Sequence, residues 1–131
     1  MKKLQHVQRT ISLATGDAQK EAYFSDIQGP IVGYSLVPFG AMPGGIRADL
    51  MIQDGATTVL MPIDIAVPDV TTKSSFRGSI CELMVENPGD IKATIIPTQT
   101  LEADQVIKVK VIIYYAVEAT GHNSTSINDC L

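Results

Sequence analysis

Apolar and polar side chains alternate with period two through much of this chain. Ile46, Ala48, Leu50 and Ile52 interleave with Arg47, Asp49, Met51 and Gln53, the pattern of a strand with one buried face. Asp54-Gly55 follows, a dipeptide suited to a tight hairpin whose two central residues take positive φ. With a two-residue turn there, Gln53 pairs with Ala56. Counting outward sets Ile52 opposite Thr57, Leu50 opposite Val59, Ala48 opposite Met61 and Ile46 opposite Ile63. A slip of one residue would bring Thr58, Leu60, Pro62 and Asp64 to the buried face instead. Turn chemistry and apolar phase agree, so the pattern predicts a hairpin with Met51, Leu60 and Asp64 on its outer face.

Asn87-Pro88-Gly89-Asp90 predicts a second hairpin, joining residues 79–86 to 91–97. Proline presets φ at the second turn position and glycine accepts positive φ at the third, a type II signature. The last long run, residues 105–118, places Ile107, Val109, Val111, Ile113, Tyr115 and Val117 on one face. Its β-branched density suits a central strand. Residues 4–14 form an earlier run in which Val7, Ile11 and Leu13 share a face, and residues 31–37 form another, ended by Pro38. Residues 23–27 read as a short strand; the alternative is one or two helical turns over 17–24 with Asp17 as cap. Elsewhere no helical period with caps is sustained. Seven or eight strands between Gly, Pro and Asp turns predict an all-β antiparallel sandwich or barrel, in one domain over residues 1–118, and the pattern does not choose between jelly-roll and immunoglobulin-like topology.

Three segments stand outside the strand pattern. Residues 38–45 are turn-rich and carry Phe39 and Met42; they either fold back over one end of the sandwich or present an apolar contact to a partner. Residues 68–75 are a polar connection. Residues 119–131 form a C-terminal tail, either frayed or an arm ordered by a neighbouring subunit.

Composition narrows the chemistry. The 131 residues include fourteen Asp and Glu against ten Lys and Arg, a net charge of −4, which disfavours a protein that tracks a nucleic-acid backbone. Lys108 and Lys110 read as a charged stripe on a wet sheet face. No apolar run reaches the roughly 18 residues of a membrane helix. No signal-peptide stretch follows Met1-Lys2-Lys3-Leu4-Gln5-His6, so Asn123-Ser124-Thr125 is not expected to be a glycosylation site.

Catalytic groups are scarce. The two histidines, His6 and His122, lie near opposite ends of the chain, and no G-x-S-x-G elbow presents a serine. Cys81 sits in an apolar strand and reads as a small core side chain. Cys130 lies in the tail, and the two thiols are expected to be free rather than bridged. Glu82 and Glu86 fall about 13 Å apart along a strand, too far for a glycosidase pair. Calcium and phosphate loops are absent. Without Trp, and with Tyr23, Phe24 and Tyr34 read as core, stacking on sugars is not favoured. No catalytic, cofactor-binding or metal-binding residue is expected.

Residues 91–98, followed by Leu101-Glu102-Ala103-Asp104 and residues 105–118, resemble the closing strand pair of jelly-roll-like sandwiches in phage virions. Such chains include head decoration, minor capsid and head-fibre proteins. The resemblance implies a non-enzymatic structural protein, made in the host cytoplasm and carried in the virion. It also implies a homo-oligomer, plausibly a trimer, that docks on other virion proteins through sheet faces and terminal arms. Outer apolar positions such as Met51, Leu60 and Ile112 point the same way. The competing reading is a ligand- or carbohydrate-binding sandwich whose rim is the Phe39–Met42 loop.

Overall fold

A computed structural model of the chain describes residues 2–39, 47–66 and 80–118. Within them the alternating runs become eight strands: β1 (Lys2–Leu13), β2 (Lys20–Phe24), β3 (Ile31–Phe39), β4 (Ala48–Asp54), β5 (Thr57–Asp64), β6 (Cys81–Val85), β7 (Ile91–Pro97) and β8 (Ile107–Glu118). They form two antiparallel sheets, ordered β1-β8-β3-β6 and β2-β7-β4-β5. No sheet neighbours are consecutive in sequence except β4 and β5. This interleaving of two four-stranded sheets is jelly-roll topology; the strand pattern predicts the eight-stranded sandwich but not this order of strands.

The sheets close on one core. Leu13, Ile31, Leu36, Leu50, Ile52, Ile91, Ile95, Ile107 and Ile113 are fully or almost fully buried there. Along β4 the alternation is regular, with Ala48, Leu50 and Ile52 inward. The long last strand is central, flanked by β1 and β3, and its predicted face, Ile107 through Tyr115, is buried. Tyr114 and Ala116 on the opposite face are buried as well. There β3 approaches through a register shift between Ile31 and Gly33.

The predicted register of the first hairpin is not the one adopted. Asp54 pairs with Thr57, so the turn is Gly55-Ala56, one residue later than expected. Gly55 has φ +60° and Ala56 does not take positive φ, the arrangement of a type II′ turn. Two register shifts follow, with β5 supplying one extra residue at each, so Ile52 faces Leu60 and Leu50 faces Ile63. The extra residues re-aim the side chains. Leu60 and Ile63 pack on the core while Met61 is 69% exposed, reversing the predicted faces of Leu60 and Met61.

The second predicted hairpin does not form. β6 joins β3 in one sheet, whereas β7 lies between β2 and β4 in the other. Both edges of β7 are thus occupied, and the turn at 86–90 crosses between sheets. Gly89 does not take positive φ, so a type II turn is absent. Instead the Asp54 carboxylate accepts the N–H groups of Gly89 (3.2 Å) and Asp90 (3.0 Å). Gly55 N–H donates to the Asp90 carbonyl at 2.9 Å.

The helical alternative over 17–24 is replaced by strand β2, because residues 20–24 pair along β7. Asp17 accepts the Ala14 N–H at 2.8 Å and so closes a turn rather than capping a helix. Pro38 does not end β3: it pairs opposite Val109. Among the described residues β6 covers only Ile31–Tyr34 on the far side of β3, so a residue without an N–H is tolerated beyond.

Candidate functional site

The two sheets leave two outer faces and two lateral flanks. On the outer face of the β2-β7-β4-β5 sheet, one cross-strand row runs Tyr23, Lys92, Gln53, Thr58. Tyr23 is 59% exposed, which corrects its reading as a core residue. β2 is an edge strand whose inward positions are taken by Ala22 and the buried Phe24, so Tyr23 turns outward. Its hydroxyl donates to Glu21 Oε1 at 3.2 Å, and Lys92 Nζ lies 3.5 Å from Glu21 Oε2. Asp64 points outward as expected, opposite Asp49. Its carboxylate pairs with Arg47 at 3.3 Å and accepts the Ala66 N–H at 2.9 Å.

On the outer face of the other sheet, Ser35 is fully buried and its hydroxyl lies 3.0 Å from that of Tyr114. The His6 ring is 6.1 Å from the Tyr114 ring, centroid to centroid. A serine sealed in this way is not presented to a substrate. Inside the sandwich, Tyr34 and Cys81 pair across β3 and β6. Burial, then the neighbouring Cys81 thiol, pushes the Tyr34 phenol up to about 12. Cys81 is half-buried and packs against the core, with no disulfide. Among the described residues, no group of three or more His, Cys, Asp or Glu is placed to hold a metal ion.

The flanks differ sharply in chemistry. On the β1–β2 flank, Arg9 leaves the inward phase of β1 to reach Asp26 at 2.9 Å, with its guanidinium 5.6 Å from the centre of the Phe24 ring. Lys20 lies 3.7 Å from Asp17 on the same side. On the β5–β6 flank, where these two edges adjoin, the exposed large apolar side chains are Met61 and Met84, at 69% and 61%, beside the exposed Glu82, Thr57 and Pro62. Met84 alternates with the buried Leu83 and Val85. That alternation is present in the sequence, where Met51, Leu60 and Ile112 are the expected outer apolar positions. Met51 and Ile112 are only half-exposed.

His122, Cys130, Asn123 and the tail at 119–131 lie outside the described residues, as do residues 40–46 with Met42 and the connection at 68–75. Among the described residues, no helix is long and apolar enough to cross a membrane. Comparisons with protein-family models, with curated proteins and with solved structures return no match for this chain.

Proposed function

We propose that this chain is a non-enzymatic structural subunit of a viral particle, a capsid-associated or decoration protein of a phage. It would assemble with copies of itself and with other virion proteins through sheet faces and terminal arms. The jelly roll serves both capsid and lectin domains, so the fold alone does not separate these roles, and the site has to. The observation that carries the reading is the β5–β6 flank, where two large apolar side chains, Met61 and Met84, stand exposed on adjoining edge strands. Methionine is flexible and polarizable, so it suits contact surfaces that must adapt. Burying such area at roughly 25 cal/mol per Å² stabilises an assembly without any catalytic group.

The test is cosedimentation with particles on a density gradient. The chain is expected to band with them at a fixed ratio to the major shell protein. A chain that remains at the top of the gradient in every preparation overturns the reading.

A second reading, a carbohydrate-binding module, draws on Tyr23 and its row of Lys92, Gln53 and Thr58. An exposed ring beside amine, amide and hydroxyl groups suits a sugar face and its hydroxyls. Glycan-array binding that is lost in Tyr23→Ala would favour this module; an array without signal removes it.

A further inference from the structure

We propose that Asp54-Gly55 is a covalent modification site that the fold keeps latent. Asp54 isomerises to isoaspartate only when its clasp on the turn at 86–90 opens, and the isomerised chain cannot close that clasp again. The inference is independent of the assembly reading and holds for a lone chain.

Asp54 is the one aspartate of the sequence that precedes a glycine. Gly55 has no Cβ to shield its nitrogen, and the space where a Cβ would stand is open. The reaction needs only water as co-reactant. The Gly55 nitrogen loses its proton to solvent and adds to Cγ of Asp54 in its carboxylic-acid form. The N–Cγ bond forms, the bond from Cγ to its hydroxyl breaks, and the departing hydroxide takes up a proton and leaves as water. The product is a succinimide ring. Water then adds to one of its two carbonyl carbons. Addition at Cγ breaks the N–Cγ bond and restores aspartate. Addition at the main-chain carbonyl breaks that carbon's bond to the nitrogen and leaves isoaspartate, with the mass of the chain unchanged.

In the folded chain each reacting group is committed elsewhere. Asp54 pairs with Thr57 on one side and Ile91 on the other, which fixes its backbone in the ladder. The Gly55 N–H donates to the Asp90 carbonyl at 2.9 Å, so the nitrogen is turned toward that oxygen and keeps its proton. The Asp54 carboxylate is held as well. Its Oδ1 accepts from Gly89 at 3.2 Å and from Asp90 at 3.0 Å, and its Oδ2 lies 3.3 Å from the Gly89 nitrogen. Ring closure requires these contacts to break, so only an opened state reacts. When opening and closing outpace the chemistry, the rate follows the population of that state. Isomerisation then alters the clasp itself. The main chain gains a carbon between Cα of Asp54 and the Gly55 nitrogen, and the free carboxylate hangs from Cα instead of Cβ. It loses its reach to Gly89 and Asp90, and refolding does not restore it.

The test incubates the full chain at neutral pH, folded in buffer and unfolded in guanidinium chloride. Isoaspartate at residue 54 is quantified by peptide mapping with electron-transfer fragmentation. Gly89→Pro deletes one donor of the clasp, leaves Asp54-Gly55 intact and is incubated folded, with circular dichroism as the check. Gly89→Ala is the milder companion: its Cβ would stand 3.3 Å from Asp54 Oδ1 and press on the carboxylate. The unfolded parent is expected to accumulate isoaspartate at least about tenfold faster than the folded parent. Gly89→Pro should fall between them, and Gly89→Ala closer to the folded parent; if Gly89→Pro does not fold, Gly89→Ala decides. The isomerised fraction, separated by chromatography and refolded, should have a lower urea midpoint than the parent. Equal rates in the folded and unfolded parent, or no isoaspartate in either, overturn the proposal. So do folded variants that react no faster than the folded parent, and an isomerised chain as stable as the parent.

Discussion

The carboxylate of Asp54 accepts the backbone N–H of Gly89 at 3.2 Å, joining the tip of β4 to the turn that carries the chain from one sheet to the other. The Asp90 N–H adds a second bond to the same carboxylate oxygen at 3.0 Å. Hydrogen bonds to a charged acceptor are stronger than neutral ones, and here they replace the internal bond that a Pro-Gly turn would normally make.

Asp54→Ala is expected to lower stability by about 1–2 kcal/mol, read as a lower urea midpoint with an unchanged slope. Asp54→Asn keeps an oxygen acceptor and should lose only part of that. If the alanine variant unfolds at the parent midpoint, the crossover is held by other contacts.

Gly33 has no room for a side chain. A Cβ there would lie 2.6 Å from Ile80 Cγ2 and 2.8 Å from the Cys81 carbonyl oxygen. Gly33→Ala must push the start of β6 away from β3, at a cost of about 1–3 kcal/mol. In a Cys130→Ser background, the Cys81 thiol should then react faster with a thiol reagent. An unchanged rate would mean that β6 accommodates the methyl group without moving.

Tyr34 ties stability to alkaline pH. Its folded-state value is raised from 10.0 to about 12, by burial first and then by Cys81. Below pH 10 the phenol is neutral whether the chain is folded or not, and its contribution is fully present. Between about 10 and 12 the unfolded chain releases the proton while the folded chain retains it, so stability falls as pH rises. The loss reaches on the order of 2 kcal/mol beyond pH 12. Tyr34→Phe has no proton to release, so its stability should decline less steeply from pH 9.5 to 11.5. Parallel curves for the two chains would contradict this linkage.

Ser35 and Tyr114 share a buried hydrogen bond of 3.0 Å on the outer face of their sheet. Tyr114→Phe strips Ser35 of that partner and should cost about 1–3 kcal/mol. The Ser35→Ala, Tyr114→Phe double variant should cost less than the sum of the single changes, with a coupling of about 1 kcal/mol. Additive losses would indicate that the two hydroxyls do not depend on each other.

Local pattern carried a large part of this fold. Period-two alternation located β4, β8 and the inward phase of β1, because inward positions must be apolar wherever a sheet covers a core. Phe24 and Tyr34 were legible as core for the same reason. Tyr23 was not, since an aromatic ring suits either face of an edge strand and only the sandwich decides which face is wet. Leu60 and Met61 exchanged faces because a bulge adds one residue without leaving a recognisable signature in the sequence. The candidate contact surface was half legible: Met51 and Ile112 lie on outer faces as expected but are only half-exposed, Leu60 turns inward, and the exposed Met61 and Met84 were not expected.

From its sequence alone, this protein is an all-β sandwich with strands in known places, few catalytic groups and turns at Gly and Pro. Those properties follow from side-chain periodicity and backbone preference, which act over a few residues. Tertiary structure decided which strand lies beside which. Pro88-Gly89 marks a reversal of the chain, yet nothing local states whether the next strand returns beside the last or crosses to the opposite sheet. That choice belongs to β7, whose inward Ile91, Ala93 and Ile95 are buried with β2 and β4 as neighbours on either side. It separates a jelly roll from a simple meander, and it places β6 at the edge of its sheet beside β3.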